Sequence, residues 1–355
     1  MRREVFEAIG PICPTCRGEE RAYPLALAWA IREEDGHVIE GVIQCTNPHC
    51  YREYPIVDGV PMLVAGLRSY MSHSSLGVLA RDDLSPDLMG LLGDSVGPNS
   101  AFDVLRQHNS QYASDHYGDL DPDAAPVDRD QAGSAVRLLN RVMPSSGVPT
   151  NGPILDLGCS VGRTTFELAA KSEDWVIGAD LNFSMLRVAS RVLRTGRVTY
   201  PRRRVGVVYD ACDYEVDLPG RERVDFWQID AMNPPFPWRP FSMMTSIHVL
   251  DCLPSPLGHL QSLDGLVREG GCVILATPFD WSPTATALEN WIGGHGQRTP
   301  EAGRSELWLR RTIEGFEGRA GLGWSIESTH EVEWTVRLHE RSRMTYQSHV
   351  LVLRR

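Results

Sequence analysis

"ILDLGCSVGRTTFELA", residues 154 to 169, decides the fold. The apolar run Ile154 to Leu157, broken by the acid Asp156, enters a turn of small residues at Gly158, Ser160 and Gly162. From Arg163 the apolar positions recur at helical spacing. A strand, a glycine turn and a helix in that order open a nucleotide-type cofactor site, because small residues let the backbone approach a ligand closely. The loop alone does not say which cofactor, since dinucleotide folds use a similar one. Here the spacing is short and no third glycine stands in the dinucleotide position.

The same alternation continues downstream. "WVIGAD" and "VDFWQID" read as strands, "SMLRVASRVLRTG" and "LGHLQSLDGLVREG" as helices, and "FSMMTSIHVL" and "GCVILATP" as further strands. "QAGSAVRLLNRVM" is a helix ahead of them, and residues 326 to 355 contain two alternating runs that suit a closing antiparallel pair. This order predicts an α/β fold with a mostly parallel, doubly wound, Rossmann-like sheet. The second strand ends at Asp180, followed by Leu181, where a carboxylate can accept both hydroxyls of a ribose. The third ends at Asp230 and Ala231, which can meet an adenine edge. Apart from Arg163, no cation stands where a pyrophosphate would be neutralised. Ser184 is expected to cap the helix that follows Asp180.

Together these residues resemble class I S-adenosylmethionine-dependent methyltransferases, from about residue 110 to the end. The resemblance implies S-adenosylmethionine as cofactor, with Asp156, Gly158, Ser160, Gly162, Asp180, Leu181, Asp230, Ala231 and His248 around it. A carboxylate near the donor's cationic sulfonium, as expected of Asp156, suits a methyl donor better than a pyrophosphate.

Composition narrows the class. The formal net charge of -11 argues against a general nucleic-acid binder, because phosphate contacts run on Lys and Arg. No stretch approaches the ~20 apolar residues of a membrane helix, and the first residues lack a signal-peptide pattern. A cytoplasmic protein is expected, whose eight cysteines serve as metal ligands or buried thiols rather than disulfides.

Four of those cysteines, Cys13, Cys16, Cys45 and Cys50, fall in the first fifty residues as two pairs, with strand-like pieces between them around the turn "EDGH". Two Cys pairs on two turns suit a tetrahedral, structural zinc ion, and so short a segment needs such a staple. His49 beside Cys50 is an alternative ligand. With "YPIVDGVPML" after the second pair, residues 1–65 resemble the small zinc-ribbon family that activates partner methyltransferases. Its second pair is usually Cys-x-x-Cys; here it is wider. Residues 66–107 read as a helical connector and 108–355 as the methyltransferase domain. The ribbon is expected to cover apolar surface of the catalytic domain in cis or to mediate a homodimer contact.

Acceptor residues must come from outside the cofactor loops, since methyl transfer depends on alignment. "QYASDHYG" (111–118), "IHVLDCL" (247–253) and "TPFDWSPTATALENWIGGHGQR" (277–298) are the candidates. They resemble the methyltransferase domain of ovothiol biosynthesis, assigned to ring N-methylation of mercaptohistidine. That family carries Tyr-x-x-x-His-Tyr-Gly before the first strand, a segment like "VLDCL" after the fourth, and "ENWIGG"-like and "TPFDW"-like stretches. Cys252 replaces a basic residue of the family, and its usual sulfoxide-synthase partner domain is absent. The resemblance implies a small-molecule substrate and N-methylation. Asp251, His248 or Tyr112 would orient the acceptor ring or take its proton. Trp281 and Trp291 would form an aromatic wall, and His116, Tyr117 and His295 would complete the pocket. An imidazole or guanidino acceptor is the leading expectation. RNA base methylation with the ribbon as reader, protein methylation and a non-enzymatic scaffold are the alternatives. "TYPRRRVG" is expected to be a solvated charge run.

Overall fold

The computed structural model describes residues 1–355 apart from 19–21, 82, 145–146, 150, 300 and 317–318. The chain opens with helix α1 (Arg3–Ile9) and four antiparallel strands, β1 (Leu25–Glu34), β2 (His37–Cys45), β3 (Glu53–Val57) and β4 (Val60–Leu63). Five helices follow: α2 (Leu67–Leu79), α3 (Pro86–Val96), α4 (Ala101–Tyr117), α5 (Pro126–Gln131) and α6 (Ser134–Val142). Then the alternation begins with β5 (Ile154–Leu157), α7 (Arg163–Ala169), β6 (Val176–Asp180) and α8 (Phe183–Thr195). A hairpin, β7 (Arg197–Val205) and β8 (Val208–Glu215), precedes β9 (Val224–Ile229), β10 (Phe241–Ile247), α9 (Pro256–Leu266) and β11 (Val267–Thr277). The chain closes with α10 (Ser305–Glu314), a short pair β12 (Gly315–Phe316) and β13 (Arg319–Ala320), and a long hairpin, β14 (Ser325–His339) and β15 (Ser342–Arg354).

The main sheet runs β1-β2-β3-β4-β9-β6-β5-β10-β11-β15-β14. Strands β4, β9, β6, β5, β10 and β11 are parallel, and β15 and β14 close the edge antiparallel. Strands β5 and β9 are buried along their whole length, as expected where helices cover both faces of a parallel sheet. One core packs Leu155, Leu157 and Trp227 against α1, α9 and α10. The other packs Ile154 and Phe226 against α4, α6, α7 and α8. Among the described residues, no helix is long and apolar enough to cross a membrane.

Two local features differ from the sequence reading. Strand β4 pairs with β9 through Met62 and Leu63 opposite Gln228 and Ile229, so the first 65 residues share a sheet with the rest. The segment "TYPRRRVG" forms a hairpin, and its arginines are engaged. Arg202 donates to Asp121 at 3.0 Å and Arg203 to Gln107 Oε1 at 3.0 Å, while Arg204 pairs with Asp210. The residues that answer those arginines lie 81 and 96 positions away for Asp121 and Gln107, beyond the reach of local patterning.

The turn after β5 depends on glycine. Gly162, at the start of α7, has φ of 90°, and a Cβ there would meet Phe226 Cζ at 2.5 Å and Ala189 Cβ at 2.9 Å. Gly162→Ala is expected to destabilise the chain by about 3 kcal/mol through backbone strain and overpacking. Urea denaturation followed by circular dichroism measures this; a change within about 0.5 kcal/mol, the range of neutral surface substitutions, would refute the assigned packing.

Candidate active site

A cavity of about 290 Å³ opens at the carboxyl ends of β5, β6, β9 and β10, the place where open α/β sheets hold ligands. The turn Gly158–Gly162 forms one side. Gly158 and Ser160 have φ of 79° and 54°, and a Cβ on Gly158 would stand 2.2 Å from Val249 Cγ2. The glycine therefore keeps the strand end open where the cavity begins. Asp180, at the end of β6, accepts from Ser160 N at 2.9 Å and Asn182 N at 2.8 Å, so one carboxylate joins two cofactor-side loops. Burial raises its pKa. Asp230 accepts from Met232 N at 2.9 Å and lines the cavity beside Ala231 and Leu181.

Asp156 lines the cavity but is only 2% exposed. Its oxygens accept from Thr164 Oγ1 at 2.7 Å, Thr165 Oγ1 at 2.7 Å and Thr245 Oγ1 at 2.5 Å. These hydroxyls engage both carboxylate oxygens and tie β5 to α7 and β10. The helix after Asp180 is capped by Asn182, which accepts from Ser184 N at 3.1 Å and Met185 N at 3.4 Å, and not by Ser184. Asn182 stands one residue outside the helix, where its side chain reaches the free amides.

The opposite end is built by α4, the loop after β10 and β14. Tyr112 and His116, one helical turn apart on α4, both line it. His248 follows β10 at φ of 58°, and its Nε2 lies 2.7 Å from Ser348 Oγ. Its ring stacks on Trp334, with centroids 4.0 Å apart and planes at 28°. Trp334 continues the stack onto Tyr346 at 5.1 Å and donates from Nε1 to Asp115 at 3.1 Å. His116 Nδ1 is buried without a hydrogen-bond partner.

Other candidates lie elsewhere. Tyr117 is fully buried, and its hydroxyl donates to Val161 O at 2.8 Å, so it supports the glycine turn from behind rather than facing the cavity. Asp251 also stands behind the lining. It accepts from Asp280 N at 2.9 Å, while its neighbour Cys252 reaches the cavity. Trp281 and Trp291 stack on each other at 5.9 Å, and Trp291 Nε1 donates to Thr286 O at 2.9 Å. They organise the loop after β11, and His295 sits in a separate concavity of residues 294 to 299. The aromatic wall of the cavity is Trp334 with His248. Trp334 escaped the sequence reading because "EVEWTVRL" announces only a strand; its alternation with Val332 and Val336 marks an inward face but not which cavity that face meets.

A second cluster joins Cys13, Cys16, Cys45 and Cys50, whose sulfurs all lie within 4.8 Å of one another. Cys13 and Cys50 are 4.0 Å apart and Cys16 and Cys45 3.9 Å. Asn47 donates from its backbone to Cys45 Sγ at 3.4 Å and from its side chain to Cys16 Sγ at 3.5 Å. His49 lies outside this sulfur cluster; its amide donates to Asn47 Oδ1.

Burial pushes the imidazoles of His116 and His248 down to about 3 and that of His259, beside Ser246 Oγ, down to about 4. Each is neutral in the folded chain while an unfolded histidine gains a proton below pH ~6.5. Stability from each is therefore whole above that pH and is lost as pH falls toward the folded value. Buried carboxylates such as Asp115, raised by burial, act in the opposite sense, so the difference between wild type and variant is the measurable quantity. His259→Gln is expected to flatten the fall in urea stability between pH 6.5 and 4 by about 1 kcal/mol per pH unit. Parallel curves for the two proteins would contradict this.

Residues 127–322 match the family model described as a methyltransferase domain, which is more than half of the chain. A S-adenosylmethionine-dependent methyltransferase from Methanosarcina mazei is similar over 66% of this chain and 98% of its own, at 16% identity and a TM-score of 0.40. A putative methyltransferase from Bacillus halodurans is similar over 62% of this chain and 99% of its own, at 15% identity and a TM-score of 0.39. Comparison with curated proteins found no match. With the strand order, the glycine turn and the matched domain together, the chain belongs to the methyltransferase-domain family and is a class I S-adenosylmethionine-dependent methyltransferase.

Proposed function

We propose that the chain N-methylates a small, amino-acid-like acceptor through an imidazole or guanidino nitrogen, as its resemblance to the ovothiol-type domain implies. The observation that carries this reading is the charge of the cavity. Its lining holds Asp156, Asp180 and Asp230 and no Lys or Arg among the described residues. Nucleic-acid phosphates need cations, whereas a neutral or cationic planar acceptor suits acidic and aromatic walls. The same lining fits the cofactor: an acidic, glycine-floored cavity favours a cation over a pyrophosphate. Asp180, Leu181, Asp230 and Ala231 would hold its nucleoside part and the Gly158–Gly162 turn its remainder. When bound, S-adenosylmethionine supplies a methyl group on a sulfonium.

The remaining work falls to side chains. An imidazole is largely neutral near pH 7 and presents one nitrogen with a free lone pair. Methylation there acidifies the other nitrogen, whose proton must leave. That proton passes to solvent, and His116, kept neutral by burial, lines the cavity beside Tyr112 and can orient the ring. Tyr112, pushed up to about 12 by burial, keeps its proton and can donate to the acceptor. His248 and Trp334 provide a flat surface that orients the ring.

Mass spectrometry of histidine, thiol-histidine, histidine dipeptides, arginine and bulk RNA incubated with the enzyme and S-adenosylmethionine tests this reading. A one-methyl gain on an imidazole or guanidino compound is expected. His116→Asn should lower its kcat roughly 100-fold by misplacing the acceptor, without weakening cofactor binding. Methylation of RNA alone would overturn the proposal.

The four cysteines are read as a structural zinc site. Zn–S bonds of about 2.3 Å place sulfurs about 3.8 Å apart at the corners of a tetrahedron, close to the Cys13–Cys50 and Cys16–Cys45 separations. Cys13→Ser combined with Cys16→Ser is expected to remove zinc measured by atomic emission and to lower the melting temperature of the whole chain, since β4 belongs to the catalytic sheet. Wild-type melting of the double variant would count against a structural metal.

A further inference from the structure

A second cavity, of about 300 Å³, lies between α3, α4, α8 and the β7–β8 hairpin. Its walls are mainly apolar, with Leu84, Met89, Phe102, Leu105 and Val188 among them. It is distinct from the cofactor cavity. Ser184 lines the one and Asn182 the other, and the two side chains bond at 2.8 Å across the first turn of α8.

One charged group inside it makes no salt bridge. Arg106 of α4 is 6% exposed, and its guanidinium lies 4.0 Å over the ring of Tyr209 and 5.7 Å from that of Phe102. Gly93 of α3 makes room for it, since a Cβ there would stand 1.9 Å from Arg106 Nη1. Arg106 Nε is buried without a hydrogen-bond partner, and among the described residues no ion pair joins the guanidinium to a carboxylate.

The acids around it are occupied. Asp103 accepts from Asn99 N, Gln107 Nε2 and Tyr209 Oη at 2.9, 2.7 and 3.0 Å. Asp210 pairs with Arg204 and Asp213 with Arg197, while Asp94 is exposed. The other cations are also partnered: Arg187 bonds Asp58 at 2.8 Å, Arg81 bonds Asp83 at 2.8 Å, and Arg191 has a partner of its own.

A guanidinium held between aromatic rings, with an unused donor edge and an apolar space beside it, matches one anionic headgroup on an apolar body. The planar fork suits a carboxylate, and a single guanidinium outside any salt bridge calls for a single negative charge. We propose that this cavity binds a small apolar monocarboxylate, with its carboxylate on Arg106 and its hydrocarbon along Leu84, Met89 and Leu105.

Isothermal titration calorimetry of the full chain with octanoate and with 1-octanol tests the site. Octanoate should bind at least tenfold more tightly than octanol. R106Q should weaken octanoate at least tenfold and leave octanol unchanged, and M89W, which fills the apolar space, should abolish both. Neither substitution touches the cofactor cavity, so retained S-adenosylmethionine binding shows that each variant is folded. Should R106Q fail to fold, the octanoate–octanol difference and M89W decide. Absence of octanoate binding, equal affinity for the alcohol, or binding that survives M89W would overturn the proposal and leave Arg106 a purely structural stack on Tyr209.

Discussion

One buried carboxylate sets the frame of the cavity. Asp156 takes a hydroxyl hydrogen bond from each of Thr164, Thr165 and Thr245. A carboxylate buried without donors would be costly. With these partners it becomes a rigid knot between the first strand of the alternation, the helix that follows and the strand beside it. Its pKa records the contest, with burial raising it and the three hydroxyls lowering it. The glycine turn lies directly beyond the knot, so its position relative to the strand ends follows from these bonds.

Beneath that turn the helix and sheet approach unusually closely. Phe226 fills the space that side chains at both Gly162 and Gly178 would occupy. Its neighbour Trp227 faces the other core, fully buried, with Phe6 of α1 6.1 Å away and Phe236 stacked at 5.9 Å. Successive residues of β9 thus hold the cofactor-side helices on one face and the N-terminal helix on the other. With β4 hydrogen-bonded along its edge, β9 joins the cysteine-bearing segment to the catalytic sheet.

The opposite end of the cavity is assembled differently, from elements far apart in the chain. Asp115 of α4 accepts from Ser134 N at 3.0 Å and from Trp334 Nε1 at 3.1 Å, and so fixes α4, α6 and β14 together. Tyr112 and His116 reach the cavity because this bond sets the rotation of α4. Arg163 adds to it, donating to His116 O at 3.0 Å and pairing with Asp119.

The local code of the chain determined the strand–turn–helix at 154–169, the alternation after it, the closing hairpin and the pairing of cysteines on two turns. Each depends on neighbours within a few residues: period-two or helical apolar spacing, glycines needed at positive φ, and acids at strand ends. The cavity-lining residues at the ends of β5, β6 and β9 were legible for that reason, since they follow directly on strands. Tertiary structure alone decided the rest. Whether Trp281 and Trp291 or Trp334 walls the cavity, whether Tyr117 faces inward, and whether Arg202 and Arg203 of "TYPRRRVG" are solvated depends on partners dozens to hundreds of residues away. The joining of β4 to β9 is of the same kind, because an edge strand's hydrogen-bonding groups accept any strand of suitable register, and distant contacts bring these two together: Phe6 on Trp227, and Asp58 with Arg187 and Ser190.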